Sequence, residues 1–327
     1  MKEKCATSHQ KAMERQLRRQ GRATPARDRV VVGRRKGSDF SAHVWYRQED
    51  RLLKSLTMNS IDSDFSGSIP EVYDSHLVPI LFEGYAADLA GRVAKADPTA
   101  VLEVAAGSGV VPRALASRLS GGCRYVVSDI NPAMLECARQ RSSEDRLEWR
   151  EANAMSLPFE DESFDIVLCQ FGVMFFPDHI KGFSEILRVL RPGGRFIFNS
   201  WGPLETNDFA HIALETLIAL YPEDPPLFLA RTPYGYGETA RIEADLAVAG
   251  FKRIRIETVE LQSHAGSADD FAFGQTYGSP LRLEIEARGN PPLPQVRAAL
   301  EKALVARFGM AQITGRMTAL VTEAIAS

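Results

Sequence analysis

The stretch VLEVAAGSGVVPRAL, Val101 to Leu115, joins three kinds of local structure in one short run. Ala100 to Ala105 is rich in β-formers and begins just after Pro98. Gly107-Ser108-Gly109 can only be a turn, and Val110 to Leu119 has helical composition, stopped by Gly121-Gly122. Strand, glycine turn and helix in that order open an α/β unit with a ligand-facing turn.

The alternation continues downstream. Tyr125 to Ser128 predicts a second strand ending at Asp129, and Asn131 caps a helix whose first residue is Pro132, where a missing N–H costs nothing. Arg146 to Glu151 predicts a third strand and Asp165 to Gln170 a fourth, apolar on both faces. Ile180, Phe183, Leu187 and Leu190 then mark a helix ending at Gly193-Gly194, followed by a fifth strand, Phe196 to Trp201. Upstream, Leu77, Leu81, Tyr85, Leu89 and Val93 place an apolar face on a helix from Ser75 to Lys95, with Asp74 or Ser75 as N-cap. Beyond Trp201 come a helix from Asp208 to Leu220, another around Glu238 to Ala249, a β-rich run from Arg253 to Leu261, and a mainly helical stretch from Ala268 to Gly309. Strands separated by helices imply right-handed crossovers and a parallel sheet covered on both faces. In such a sheet Glu103, Gly107, Asp129, Asn153 and Gln170, at or just past strand ends, converge on one crevice.

The composition bounds the remainder. No apolar run reaches the length of a membrane helix, and the first residues lack the apolar core of a secretory signal. Cys5, Cys123, Cys137 and Cys169 have no C-x-x-C spacing, so neither a metal site nor a disulfide framework is expected, and a cytoplasmic location fits. The net charge of −3 hides an asymmetry: residues 1–57 carry 15 Lys and Arg against 6 acids. That basic segment, with a short helix around His43 to Leu56, is expected to be otherwise disordered and separate from a domain spanning residues 58–327. A nucleic-acid arm is one reading of it; a solvated tail, or sequence upstream of a start at Met58, are the plainer ones.

Charge decides between ligands for the glycine turn. A dinucleotide fingerprint read from Gly107 would need Gly or Ala where Pro112 stands, and would bring Glu103 towards a diphosphate. S-adenosylmethionine carries a sulfonium and an ammonium, which a carboxylate there favours. Asp129, at the end of the second strand, suits the two hydroxyls of a ribose.

VLEVAAGSGVVPRAL (101–115), SDINPAMLECAR (128–139), EANAMSLPFEDESFDIVLCQFGVMFFPD (151–178) and EILRVLRPGGRFIFNSW (185–201) resemble the successive motifs of class I S-adenosylmethionine-dependent methyltransferases, particularly the ubiquinone/menaquinone-biosynthesis-like group. The resemblance implies an α/β, Rossmann-like, doubly wound seven-stranded sheet with an antiparallel last strand and helices on both faces. On that template Arg316 to Ala326 is the seventh strand, paired with Arg253 to Leu261, although TALVTEAIA would also make a helix. Residues 268–309 become a helical insertion near the C-terminus, and a candidate contact for a homodimer. The resemblance further implies that Glu103, Gly107 and Gly109 bind the methionine part, that Ile130 and Met134 flank the adenine, and that Asn153 and Ala154 read its edge. Gln170 and Phe171 would lie beside the reacting centre, and Tyr73 in an N-terminal lid. Ala105 departs from the glycine of many relatives, and Asn153 from their aspartate.

Methyl transfer from a sulfonium needs alignment and dryness more than a covalent residue. Should the acceptor need a base, His179, Tyr73 and His76 are the candidates. Gln170-Phe171-Gly172-Val173 replaces the N-P-P-aromatic run of nucleic-acid amino methyltransferases, and the catalytic region is acidic; both argue against nucleic acid. Phe171, Val173, Met174, Phe175, Phe176, Tyr234, Tyr236, Phe271, Phe273 and Tyr277 suggest a small, partly apolar or aromatic acceptor. A nicotinamide-dependent reductase, or a non-catalytic adenosyl- or RNA-binding protein, are the competing classes.

Overall fold

The fold comes from a computed structural model that describes residues 60–326; the readings made above for residues 1–57 lie outside the described residues. After a 3-10 turn at Ser60–Ser63, the chain runs through α1 (Ile69–Val72), a π-helical stretch (Tyr73–Phe82) and α2 (Glu83–Ala94) into β1 (Ala100–Glu103). There follow α3 (Val110–Leu115), β2 (Arg124–Asp129), α4 (Pro132–Gln140), β3 (Leu147–Glu151), β4 (Phe164–Gln170), α5 (His179–Val189) and β5 (Leu190–Trp201). The C-terminal half adds α6 (Asp208–Leu220), α7 (Phe228–Arg231), α8 (Thr239–Ala249), β6 (Arg253–Ala265), α9 (Ala268–Tyr277), α10 (Leu281–Arg288), α11 (Leu293–Phe308) and β7 (Ile313–Ile325).

The seven strands of the described residues form one sheet in the order β3-β2-β1-β4-β5-β7-β6. The pairings among β1 to β5 are parallel, whereas β7 runs antiparallel to both β5 and β6. Period two sorts the buried residues of the parallel strands onto the two faces. Val101, Tyr125, Val127, Ile166, Leu168 and Ile197 pack with Leu89 and Val93 of α2 and Val111 and Leu115 of α3. Their neighbours Leu102, Val126, Val167, Phe196 and Phe198 face the opposite core, with Phe183 and Ile186 of α5. The strand order reverses between β1 and β4, so the crevice at a topological switch point opens above their C-terminal ends.

The closing segment is a strand despite its helical propensity. β7 pairs with β6 from Ile313↔Ala265 to Ile325↔Arg253 and inserts its other edge against β5, so tertiary pairing overrides local preference. Between β6 and β7 stand α9, α10 and α11, the helical insertion, with Val296, Leu300 and Leu304 of α11 buried. No helix among the described residues is long and apolar enough to cross a membrane.

Three local expectations need correction. Arg191-Pro192-Gly193-Gly194 does not stop a helix: α5 ends at Val189, and Leu190 is already extended (φ −78°, ψ 137°) and paired with Phe164. The four residues form a bulge inside β5, since the next pair is Ile166↔Arg195. Gly193 takes φ +78° there, and Arg191 anchors the bulge on Asp165 at 2.6 Å. The N-terminal helix begins at Ile69 rather than Ser75, with Pro70 in its first turn, and widens into π geometry around Pro79, which has no N–H to donate. Asp74 is therefore no N-cap: it is buried, with Arg113 Nη2 at 3.0 Å and Arg141 Nη1 at 2.8 Å.

A second buried ionic cluster ties the start of the described chain to the insertion. Arg231 donates from Nε to Asp62 at 2.9 Å and from Nη2 to Glu284 of α10, while Thr232 Oγ1 donates to Asp62 at 2.6 Å. All three charged side chains are less than a tenth exposed. Removing the shared cation leaves two carboxylates in the core, so Arg231→Met is expected to lower stability by about 3 to 5 kcal/mol, read as the shift in urea-unfolding free energy.

Candidate cofactor site

Above the switch point lies a cleft of about 110 Å³, partly open to solvent. Its floor is the turn after β1, Ala105 to Ser108. One side is Asp129, Ile130, Asn131 and Met134; the other is Gln170, Phe171, Gly172 and Phe175; and Ser63, Phe65, Tyr73 and Phe82 close over it from the N-terminal segment.

The turn adopts its shape because two of its residues, Ala105 (φ +55°) and Gly107 (φ +57°), take the left-handed region. Gly107 does so at no cost, and its N–H donates to Asp129 Oδ2 at 2.7 Å. Gly109 does not line the cleft; a Cβ there would lie 2.8 Å from the Cβ of Ala138, so its role is close packing of the turn against α4. Ala105 carries the strain of a non-glycine residue in that region. Across the cleft Phe171 is equally unusual, with φ +48°, held by its N–H bonded to Asn199 O (3.1 Å) and Asn199 Oδ1 (2.9 Å) and by its ring stacked on Trp201 at 3.9 Å. Gly172 sits between the two strained residues, where a Cβ would come within 2.5 Å of Ala105 Cβ.

Asp129 is almost completely buried, and its carboxylate also accepts the Asn131 N–H through Oδ1 at 2.7 Å. Burial pushes its carboxyl up, and the amides of Asn131, Gly107 and Ile130 draw it back. A carboxylate has about four lone-pair sites, so acceptor capacity remains for a diol. Asn131 caps α4 through Oδ1, which accepts from Ala133 and Met134, and its Nδ2 donates to the carbonyl of Phe65 at 3.3 Å.

Glu103 does not line the cleft. Its carboxyl is buried beneath the turn and takes the hydroxyl of Tyr125, and burial pushes its pKa up to about 8, so it is largely protonated at neutral pH. Glu103 is therefore a buried group bonded to the Tyr125 hydroxyl, outside the cleft lining. Asn153 and Ala154 also lie outside the lining; Asn153 Oδ1 accepts from Met155 N at 2.9 Å in a local turn.

Of the three candidate bases only Tyr73 lines the cleft, its ring 5.8 Å from Phe65 and 5.2 Å from Phe82, and burial holds its phenol well above the ordinary range. His179 begins α5 but stacks on Tyr236 at 3.9 Å, between α5 and α8, and burial lowers its pKa to about 4. His76 packs against Phe273 of the insertion at 4.9 Å. Neither histidine touches the cleft. Sequence reasoning missed Ser63, Phe65 and Phe82, which reach the cleft only because the N-terminal segment folds across it, and Ser108, masked by its two glycines.

Comparison with known proteins agrees with this architecture. Residues 102–198 match the family model described as "Methyltransferase domain". Residues 102–198 thus carry a methyltransferase domain. Within it, 98 residues are 43% identical to a demethylmenaquinone methyltransferase of Clavibacter sepedonicus, covering 30% of this chain and 39% of that protein. A demethylmenaquinone methyltransferase of Deinococcus radiodurans is 41% identical over 108 residues, 32% of this chain and 44% of the relative. The chain thus matches about two-fifths of the length of these relatives. Phosphoethanolamine N-methyltransferase 2 of Haemonchus contortus, solved with phosphomonomethylethanolamine and S-adenosylhomocysteine, superimposes with a TM-score of 0.53 at 18% identity, covering 82% of this chain and 61% of that one. This last likeness is one of fold.

Two outcomes follow for the methyltransferase domain. Glu103 binds a proton in the folded state that the unfolded chain has released above its ordinary pKa of 4.5. Its contribution to stability is full below that value and is lost as pH rises through about 8, so Glu103→Gln should flatten this part of the stability–pH curve, measured by urea unfolding from pH 5 to 8.5. An unchanged slope would show that Glu103 stays ionised. For the opposite carboxylate, Asp129→Ala should weaken S-adenosylhomocysteine binding by about 1.5 to 3 kcal/mol with the far-UV dichroism retained, and calorimetry reads the loss directly.

Proposed function

We propose that this chain transfers a methyl group from S-adenosylmethionine to a small-molecule acceptor by in-line displacement. The observation that carries the reading is Asp129. One buried carboxylate, fixed by backbone amides from the glycine turn and from the start of α4, faces the cleft with lone pairs to spare. A ribose diol fits that acceptor, and Ile130, apolar and 56% exposed beside it, offers a platform for an adenine. Met134, buried under the turn, would complete the adenine side. Gly107 lets the backbone approach the methionine part.

The cofactor would supply an already activated methyl group. The chain's part is to bind, align and exclude water, and the rings of Phe65, Tyr73, Phe82, Phe171 and Phe175 form a wall suited to the last task. Of the three candidate bases Tyr73 lines the cleft, and its oxygen would contact an acceptor's proton; its raised pKa suits a neutral donor or acceptor of a hydrogen bond better than an ionised base. The apolar wall favours a small apolar or aromatic acceptor over a phosphate-rich one.

A calorimetric comparison checks the reading: S-adenosylmethionine and S-adenosylhomocysteine should bind in the micromolar range and NADH should not. Incubation of a metabolite extract with methyl-labelled cofactor should then yield a labelled small molecule only when the protein is present. Binding of NADH in place of the adenosyl ligands would restore the reductase reading, and adenosyl binding without transfer would favour a non-catalytic one.

A further inference from the structure

β6 is the last strand in the sheet order, and among the described residues β7 is its one strand neighbour. Its outer side therefore presents backbone N–H and C=O groups to which a further strand can pair. The strand is long and regular. Its thirteen residues pair with β7 from Arg253↔Ile325 to Ala265↔Ile313 without a shift of register, and none of them is proline.

Charges commonly guard such an edge, but they repel a second copy in every register only when they share one sign. Here the signs are segregated. Lys252, just before the strand, Arg253 and Arg255 come first, Glu257 and Glu260 follow, and Ile256 separates the two groups. Lys252, Arg253, Arg255 and Glu260 are exposed, and the Arg255 side chain is 78% accessible. Glu257 meets Arg92 at 3.2 Å and Arg255 at 3.6 Å, both through Oε2, so its other oxygen can take a further guanidinium.

A strand with this order of charges complements itself when reversed, and symmetry makes the register definite. A two-fold axis joining two antiparallel edges stands perpendicular to the sheet and keeps each face on its own side. A residue can then meet only one that lies an even number of positions away, and one residue sits on the axis. With Arg255 or Glu257 on the axis, like charges meet; Ile254 there opposes Arg253 to Arg255, and Thr258 there pairs no opposite charges. With Ile256 on the axis, Arg255 meets Glu257 and Lys252 meets Glu260, each pair occurring twice, while Ile254 meets Thr258.

We propose that β6, rather than the helical insertion, is the contact for a second copy of this chain, the two edges pairing antiparallel about Ile256 so that two seven-stranded sheets become one. β6 lines no part of the cofactor cleft, so this contact and the methyltransferase reading stand or fall separately.

Sedimentation of the full chain over the micromolar range tests the contact, and the unsubstituted protein should be a dimer. Arg255→Glu and Glu257→Arg each bring like charges together at both crossings and should weaken dimerisation by at least about tenfold, with the far-UV dichroism retained. An equimolar mixture of the two variants, in which every reversed charge meets its opposite on the other chain, should dimerise as the unsubstituted protein does. Cross-linking reads the register without using charge: Ile256→Cys, opposite its own copy at a Cα separation of about 4.5 to 5.5 Å, should form an intermolecular disulfide above the background of the unsubstituted chain, and Thr258→Cys should not. A monomeric unsubstituted chain, reversed variants that dimerise undiminished, a mixture as weak as its components, or equal cross-linking at the two positions overturns the assignment.

Discussion

The carboxylate of Asp129 holds the two sides of the cleft together. Through Oδ2 it fixes the N–H of Gly107 in the turn after β1, and through Oδ1 the N–H of Asn131 at the start of α4. Its position is in turn set by the sheet, since β2 pairs in register with β1 on one side and β3 on the other. The turn after β1 is held from its other side by Arg113, whose Nη1 donates to the Ser108 carbonyl at 2.7 Å, and both Ala105 and Gly107 sit at positive φ. A charge-assisted bond of this kind is stronger than a neutral one, and in a buried setting it is what keeps a left-handed turn in one conformation. The Asp129 carboxylate thus joins the turn to the start of α4 across the cleft.

The cover of the cleft depends on ionic contacts made far from it in sequence. Asp74, in the π-helical stretch that also carries Tyr73, is clasped by Arg113 of α3 and by Arg141 just beyond α4. Those two helices flank the turn and the Asp129 side, so the clasp sets the height of Tyr73 over the floor. At the other end of the cover, Asp62 is bound to Arg231 and Thr232, and Arg231 to Glu284 of the insertion. Ser63 and Phe65, which line the cleft, lie between these two anchor points. Buried ion clusters gain little net stability over apolar packing, but once one partner is committed the others are strongly constrained, so they specify position more than they add strength.

How much of this the sequence shows depends on the range of the interaction. The glycine turn, the Asn131-Pro132 start of α4 and the buried strand at 164–170 are decided by near neighbours, and the sequence displays them. β7 is legible only through topology, because its residues favour a helix locally and become a strand by filling the space between β5 and β6. The bulge at Arg191 to Gly194 mimics a helix stop because the same glycines serve both, and the deciding contact, Arg191 with Asp165, lies on another strand. Glu103 was read as a charged ligand group from its place before the turn; its partner Tyr125 is on the adjacent strand and in register terms two residues back, information that no spacing rule contains. Asp62 and Arg231 are 169 positions apart, beyond any local pattern.

The two ends of the cleft differ in the kind of order they impose. At the Asp129 end the cleft presents a carboxyl group held by two backbone amides, which gives direction to hydrogen bonds. The Phe171 end presents rings packed edge to face, Phe82 against Phe171 at 5.5 Å and Phe65 against Phe175 at 6.1 Å, which give shape but no direction. Phe171 links the two: its backbone is strained, yet its N–H is doubly bonded to Asn199 and its ring is stacked on Trp201, so the strain is locked in by β5 rather than relaxed. Were Phe171 to leave the left-handed region, its ring would leave Trp201, and Gly172, packed against Ala105, would have to move with it. The apolar wall is thus held, like the polar floor, by the neighbouring strands, and the spacing between the two is a property of the sheet.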